Sequence, residues 1–287
     1  MSSAVRGGLV LRTRPSRLSI IGGVLLALVA WEGAARVIQA AAEQGDRVVP
    51  SLTTVATDGF IGLSNYWSGG WGVDSTASGG EAGVTGAVLA LLVNAGITIG
   101  RVTVGLVVAI VLGVAAGLLV ASVRPIRLSV SGIAEVMRML PALAMAPLFT
   151  LWFGPTTQAS IVFVVFGVAF IVLVGTVNAV QNLPAPVIEY PRTLGVRGAR
   201  LWTRVVLPAT LPELRGSLVF AGLVAWTTVL ASEMYGMQSG LGWMLSDTLR
   251  FSLVDRMVVV AVVFSGLALI TMKVLGYAVT AATRWSD

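Results

Sequence analysis

The sequence predicts an all-α, polytopic membrane protein with six transmembrane helices. Two observations carry this expectation. Hydrophobic residues make up 56 % of the 287-residue chain and charged residues only 11 %, less than half of the roughly 25 % charge of an average soluble domain. The mean hydropathy is +0.90, and the apolar residues gather into runs long enough to cross a hydrocarbon core, which takes about 20 helical residues. A single soluble core would be too small for this apolar content, and disorder requires the opposite composition.

The six spans are read at 18–41, 97–123, 133–153, 159–180, 218–232 and 257–282. The second carries Arg101 near its outer end and the pair Gly113 and Gly117, a small-xxx-small spacing that suits close helix packing within the subunit. The third is interrupted by Pro141 and Pro147. The stretch 43–93 holds Gly and Ser clusters without an apolar period and reads as an extracytoplasmic segment. Within it, Trp67 and Trp71 are candidates for anchoring at the membrane interface, with contact to an external partner as the alternative. The organisation is therefore 1–93 for the tail, first span and outer segment, and 94–287 for a five-span core with a polar loop at 181–217.

Arginine placement gives the orientation, because basic residues mark the cytoplasmic side. The N-terminal tail has Arg6, Arg12, Arg14 and Arg17 and no acid; Arg124 and Arg127 follow span two; Arg192, Arg197, Arg200, Arg204 and Arg215 lie between spans four and five. Residues 43–93 carry Arg47 against five acids. Both termini and the 181–217 loop are then expected in the cytoplasm, with the chain in the plasma (inner) membrane. A competing reading takes residues 1–42 as a signal peptide, since a basic tail and an apolar run lead to Ala40-Ala41-Ala42.

Several function classes are excluded by what is missing. The chain has no cysteine and no histidine, which removes thiolate sites, the usual general base and the usual metal ligand. Its one lysine, Lys273, has neither neighbour of a Gly-Lys-Ser/Thr phosphate loop. No cofactor is expected in the chain itself. The net charge is +6, but the arginines flank apolar runs and are not interleaved with aromatics in a polar domain, so nucleic acid is not expected as a partner.

Charges and backbone breaks within spans are candidate solute contacts. Glu233 ends span five near the outer face, where it could receive a polar solute, meet a solute-delivering protein or cap the following segment. Glu32 reads as a structural polar contact. Arg138 sits before Pro141, where snorkelling competes with an anion-attracting role, and the same alternatives hold for Arg101. Pro141 and Pro147 interrupt the helix, so residues 140–149 are expected to border a path, with Met145 as adaptable packing.

The polar loop has its own pattern. Glu189 is followed by Gly195, Trp202, Leu207 and Pro208. Arg197, Arg200 and Arg204 fall on one helical face, with Leu201 and Val205 turned away from its centre round the helix, so the element either lies on anionic membrane lipid or docks into a partner protein. This spacing resembles the EAA loop of ABC-importer permeases, which has Glu at its start, Gly at the seventh position, an aromatic at the fourteenth and Leu-Pro at the nineteenth and twentieth. Tyr190 and Pro191 replace the two alanines; Pro191 is tolerable if it occupies the first turn of the short helix and disruptive deeper in.

Further stretches resemble the nitrate/sulfonate/taurine branch of these permeases. They are Arg138 through Ala144 with Leu151-Trp152-Phe153-Gly154, Trp226 through Glu233 with Gly240-Leu241-Gly242, and Val49-Pro50-Ser51. The resemblance implies a type I importer permease fold. It implies an ATPase-coupling loop formed by Glu189, Arg192, Gly195, Arg197, Arg200, Trp202, Leu207 and Pro208, with Glu189 as cap or polar anchor and Gly195 as the turn between two short helices. It also implies a pathway near Arg138, Pro141, Met145, Pro147, Trp226 and Glu233. The partners implied are two ABC ATP-binding subunits, which hold the ATP and Mg, an extracytoplasmic solute-binding protein, and a second permease subunit, an identical copy being favoured over a different one. The solute implied is a small polar or anionic one; aromatic acids or thiamine precursors are the alternative, and a secondary transporter or a membrane scaffold the rival classes.

Overall fold

The computed structural model describes residues 17–41 and 45–284. The tail arginines Arg6, Arg12 and Arg14 and residues 42–44, where a signal peptide would be cut, lie outside the described residues. The described residues are helical apart from turns and a single isolated bridge, Gly70 to Val73.

Helix α1, Arg17–Ala41, matches the first expected span. It stands largely apart from the bundle, with Leu18, Leu26 and Val29 exposed, as suits a lipid-facing helix. The chain then turns back along it. The Trp31 indole N–H donates to the Pro50 carbonyl at 3.1 Å, and the Glu32 carboxylate accepts the Leu52 N–H at 3.0 Å. Glu32 is thus a structural contact. Residues 51–66 form a chain of short helical turns that packs on the last helix, with Gly59 and Gly62 allowing close approach to Asp255 and Arg256.

Helix α2, Val84–Ser122, begins 13 residues before the expected start of span two. At 1.5 Å per residue it is about 58 Å long, more than a bilayer core requires. Its first turns are covered by Leu63 and Ser64 of the outer segment, where Ala87 and Leu91 are buried. The helix runs unbroken through 93–94, where the outer segment was expected to end. The outer segment also corrects one anchor: Trp67 is buried, donating from Nε1 to the Val73 carbonyl, and only Trp71 is exposed.

The expected third span is two helices. Helix α3, Arg124–Met139, and helix α4, Ala142–Phe153, meet at 94°. The cause is local: Leu140 precedes Pro141, which drives it out of the helical region to ψ 129°. Helix α4 alone is about 18 Å long and cannot cross. Among the described residues five helices are long and apolar enough to span, and the bent pair makes six if it counts as one crossing. Helix α5, Thr157–Gln181, follows, capped by Thr156 Oγ1 on the Ala159 N–H.

After the loop helix α6, Ala185–Thr193, helix α7, Leu207–Met234, returns through the core. The amphipathic α8, Leu241–Arg250, and the final span α9, Val254–Ala282, complete the chain. The main core joins α2, α5 and α7 through Val102, Leu106, Val164, Val168, Leu218 and Trp226. Without a hydrophobic drive between helices in lipid, their contact depends on shape. A Cβ at Gly105, Gly113 or Gly117 would lie 2.6–2.7 Å from Val164, Val172 or Thr176 of α5, so the small-residue stripe lets α2 and α5 touch.

Gly113→Val should therefore separate α2 from α5 and cost about 1–3 kcal/mol, the usual range for overpacking. Gly100→Val on the same helix, facing open space, should leave thermal unfolding of the purified protein in detergent unchanged. Equal effects of the two substitutions would contradict this packing.

Candidate functional site

Helix α7 links two regions of interest at its opposite ends. At its N-terminal end lies the loop of 182–206. Helix α6 begins at Ala185, with Pro186 in its first turn, where a missing N–H is free. This corrects two expectations. Pro191 lies near the helix's C-terminal end, not in its first turn, and Glu189 is the fifth residue of α6, not its cap. Gly195, at φ +84°, and Gly198, at φ +60°, form the turn between α6 and the next helical turn. These left-handed conformations suit glycine. Helix resumes at Ala199–Leu201 and passes through a π-helical turn, Trp202–Val206, into α7. Such π turns are rare and concentrate at functional sites.

Because helix resumes only at Ala199, Arg197 sits in the turn, and the expected shared face of Arg197, Arg200 and Arg204 is not formed. The apolar side is real. Leu201 and Val206 are buried against Ala121 of α2 and Val180 of α5, with Ile188, Val196 and Trp202 packed around them. The other side is exposed: Glu189, Tyr190, Arg192, Leu194, Gly195, Arg197 and Arg200. Leu207 and Pro208 open α7 and are half-buried. The loop is also tied to α7 by the Asn182 amide, which donates to Glu213 at 2.9 Å.

At the other end of α7 the dominant feature is a buried ion pair. Arg101 Nη1 lies 2.8 Å from Glu233 Oε1, with side chains 2 % and 0 % exposed. Arg101 also donates to the Ser239 carbonyl, Ser239 Oγ and Thr157 Oγ1. Thr98 Oγ1 donates to the Glu233 carboxylate and accepts the Leu241 N–H at 2.9 Å. Glu233 Oε2 accepts the Gly242 N–H, and Asn94 Oδ1 accepts the Gly240 N–H. The first N–H groups of α8, which have no partner inside their helix, are thus received by side chains of α2 and α7. Of the three roles considered for Glu233, capping the following segment is the one this geometry contains. A Cβ on Gly240, itself at φ +101°, would collide with the Glu233 carboxylate, and one on Gly242 would lie 2.7 Å from Glu233 Cβ. The two glycines are there for the carboxylate.

Above this network opens a cavity of about 490 Å³ lined by Gln238, Trp243, Ser246, Asp247 and Arg250. A neighbouring cavity of about 470 Å³ shares Met234, Ser246 and Arg250 and adds Pro147 and Thr150 of α4. Tyr66 of the outer segment braces the wall: its hydroxyl donates to Asp247 Oδ2 at 2.9 Å, and its ring meets Trp243 edge-on at 5.3 Å. Burial, and then the Asp247 carboxylate, push the Tyr66 phenol well above its ordinary range, so it stays a proton donor.

Of the pathway residues expected from sequence, Pro147 lines a cavity and Glu233 supports its floor. Pro141 makes the bend. Met145 packs among Phe149 and Phe163, and Trp226 is buried against Phe264. Arg138 pairs with Glu135 at the exposed end of α3. The cavity residues Gln238, Trp243, Ser246, Asp247 and Arg250 were not foreseen. Their signal was a polar, amphipathic decad between the last two spans.

Residues 109–284 match the family model of the binding-protein-dependent transport system inner membrane component. The chain is 30 % identical over 189 residues to a Methanocaldococcus jannaschii protein carrying the name ABC transporter permease protein MJ0413, covering 65 % of this chain and 70 % of that one. It is 28 % identical over 169 residues to a Bacillus subtilis protein carrying the name aliphatic sulfonates transport permease SsuC, covering 59 % and 61 %. A chain of the MetNI methionine ABC transporter, solved in inward-facing conformations, superposes with a TM-score of 0.54 at 25 % identity, covering 65 % of this chain and 93 % of that one.

Removing either member of a buried pair strands the other. Arg101→Met and Glu233→Gln should each cost about 3–5 kcal/mol. The double variant Arg101→Met/Glu233→Gln should cost clearly less than the sum of the two single losses in the same unfolding measurement. Simple additivity would mean that the two side chains are not coupled.

Proposed function

The chain belongs to the family of binding-protein-dependent transport system inner membrane components, and we propose that it moves a small polar or anionic solute of the sulfonate, taurine or nitrate kind by alternating access. As an ABC-importer permease subunit it is a transport component and not an enzyme, and ATP hydrolysis belongs to a separate subunit. The reading extends to two ATP-binding subunits docked on residues 185–206, a solute-binding protein at the outer face, and a second copy of this chain completing the path. The arginine distribution supports a cytoplasmic location for both termini.

The observation that carries the docking assignment is the two-sidedness of the loop. Its apolar side is keyed into the ends of α2 and α5, while Glu189, Tyr190, Arg192, Leu194, Arg197 and Arg200 remain exposed. A helix lying on lipid would turn its apolar side outward; here that side faces the bundle. Exposed Tyr190 and Leu194 beside charged residues suit a protein groove. A push on this surface passes directly into α7 through the π turn. The sulfonate-like class is supported by the Bacillus subtilis relative's name and by Arg250 in the outer cavity.

Deleting 195–202 should abolish co-purification of the ATP-binding subunits. Leu194→Asp, an exposed substitution that leaves the packed side intact, should weaken it at least about tenfold. Normal assembly of both variants would overturn the docking assignment.

A further inference from the structure

The cavity on α8 holds an unusual arrangement of charge. Asp247 and Arg250 stand three residues apart on one helix and line the same space. An acid and a base at this spacing are close enough to pair. No ion pair joins them among the described residues; Asp247 is turned to the Tyr66 hydroxyl, and Arg250 is exposed with no hydrogen bond or ion pair to a described residue. Beside them stand the Gln238 amide and the Trp243 ring, the latter fixed edge-on by Tyr66.

We propose that this cavity is a solute site for a small zwitterion, with the solute's acidic group on Arg250 and Gln238 and its ammonium on Asp247 and the face of Trp243. Side chains three residues apart on a helix carry their Cβ atoms about 5–6 Å apart, which suits a solute whose two charges are separated by a few bonds. An aminoalkanesulfonate or a short amino acid satisfies both charges at once. A monoanion of the same size gains Arg250 but faces Asp247 uncompensated. An ammonium is also attracted to the face of an indole ring. Tyr66 is a positioning residue: by holding Asp247 it keeps the acid from closing on Arg250, so the site stays open between solutes. The site lies at the end of α7 opposite the loop, about 42 Å away along 28 residues, where an imported solute would enter. The inference rests on the permease reading and deepens it by naming the site and the charge of its ligand.

The test is equilibrium binding to the full chain, assembled with its ATP-binding subunits in lipid nanodiscs. Radiolabelled 2-aminoethanesulfonate is one probe and ethanesulfonate, which lacks the amine, the other. The wild type should prefer the zwitterion by at least about tenfold, the worth of one modest charge interaction. Asp247→Asn, which keeps a partner for Tyr66, should bring the two probes to within about twofold, and Arg250→Gln should weaken both by about tenfold or more. Equal affinity for both probes in the wild type, no binding of either, or wild-type behaviour of both variants would overturn the site. Assembly with the ATP-binding subunits, scored on the same preparations, reports separately on the permease reading.

Discussion

A guanidinium and a carboxylate withdrawn from water inside a membrane protein must be paired, because the desolvation of either is larger than most single interactions can offset. Arg101 and Glu233 are paired through four helices, with the guanidinium Nε alone left without a partner among the described residues. Their partners come from α2 (Thr98), the start of α5 (Thr157), the end of α7 and the turn into α8 (Ser239, Gly242). None of these can shift without unpairing a buried charge. The pair therefore fixes where α8 begins, and with it the floor of the outer cavity. It also requires glycine at 240 and 242, since a side chain at either place would occupy the carboxylate's space.

At the other membrane end the fixing is apolar. Leu201, Val206 and their neighbours seat the loop on the ends of α2 and α5, while the glycine stripe of α2 presses it against α5 along its length. Between the two ends α2, α5 and α7 share one packed core. A block built this way moves as a unit: motion imposed on the exposed side of the loop arrives at the cavity with little lost to bending. The break at Leu140–Pro141 leaves α3 and α4 as the less constrained elements beside it.

Much of this could be read from residues. Hydropathy marks the spans because lipid tolerates little else, and the spacing from Glu189 to Pro208 marks the loop because a turn, an aromatic and a helix start must fall at set intervals. The failures have physical causes as well. Hydropathy marks span two only from 97, whereas its helix continues beyond bilayer length and is covered there by Leu63 and Ser64. Pro141 is legible as an interruption of span three, but not the size of its effect: its constraint on Leu140 turns the chain by 94°. Arg101 and Glu233 each attracted attention singly; 132 residues separate them, and no local pattern announces a partner so distant. The cavity was missed for a related reason: Tyr66, which sets its geometry, lies 181 residues from Asp247.

The central claim is that the loop and the outer cavity belong to one rigid body. The chain has no cysteine, so Thr203→Cys and Leu249→Cys, both exposed, can be spin-labelled cleanly and diluted with unlabelled chain. The most direct measurement is the distance between these labels by pulsed electron resonance in the assembled transporter, without nucleotide and with ATP under non-hydrolysing conditions. A rigid body gives one distance distribution, unchanged between the two states. A distribution that shifts or splits on ATP binding would show that the ends of α7 move independently, and would contradict it.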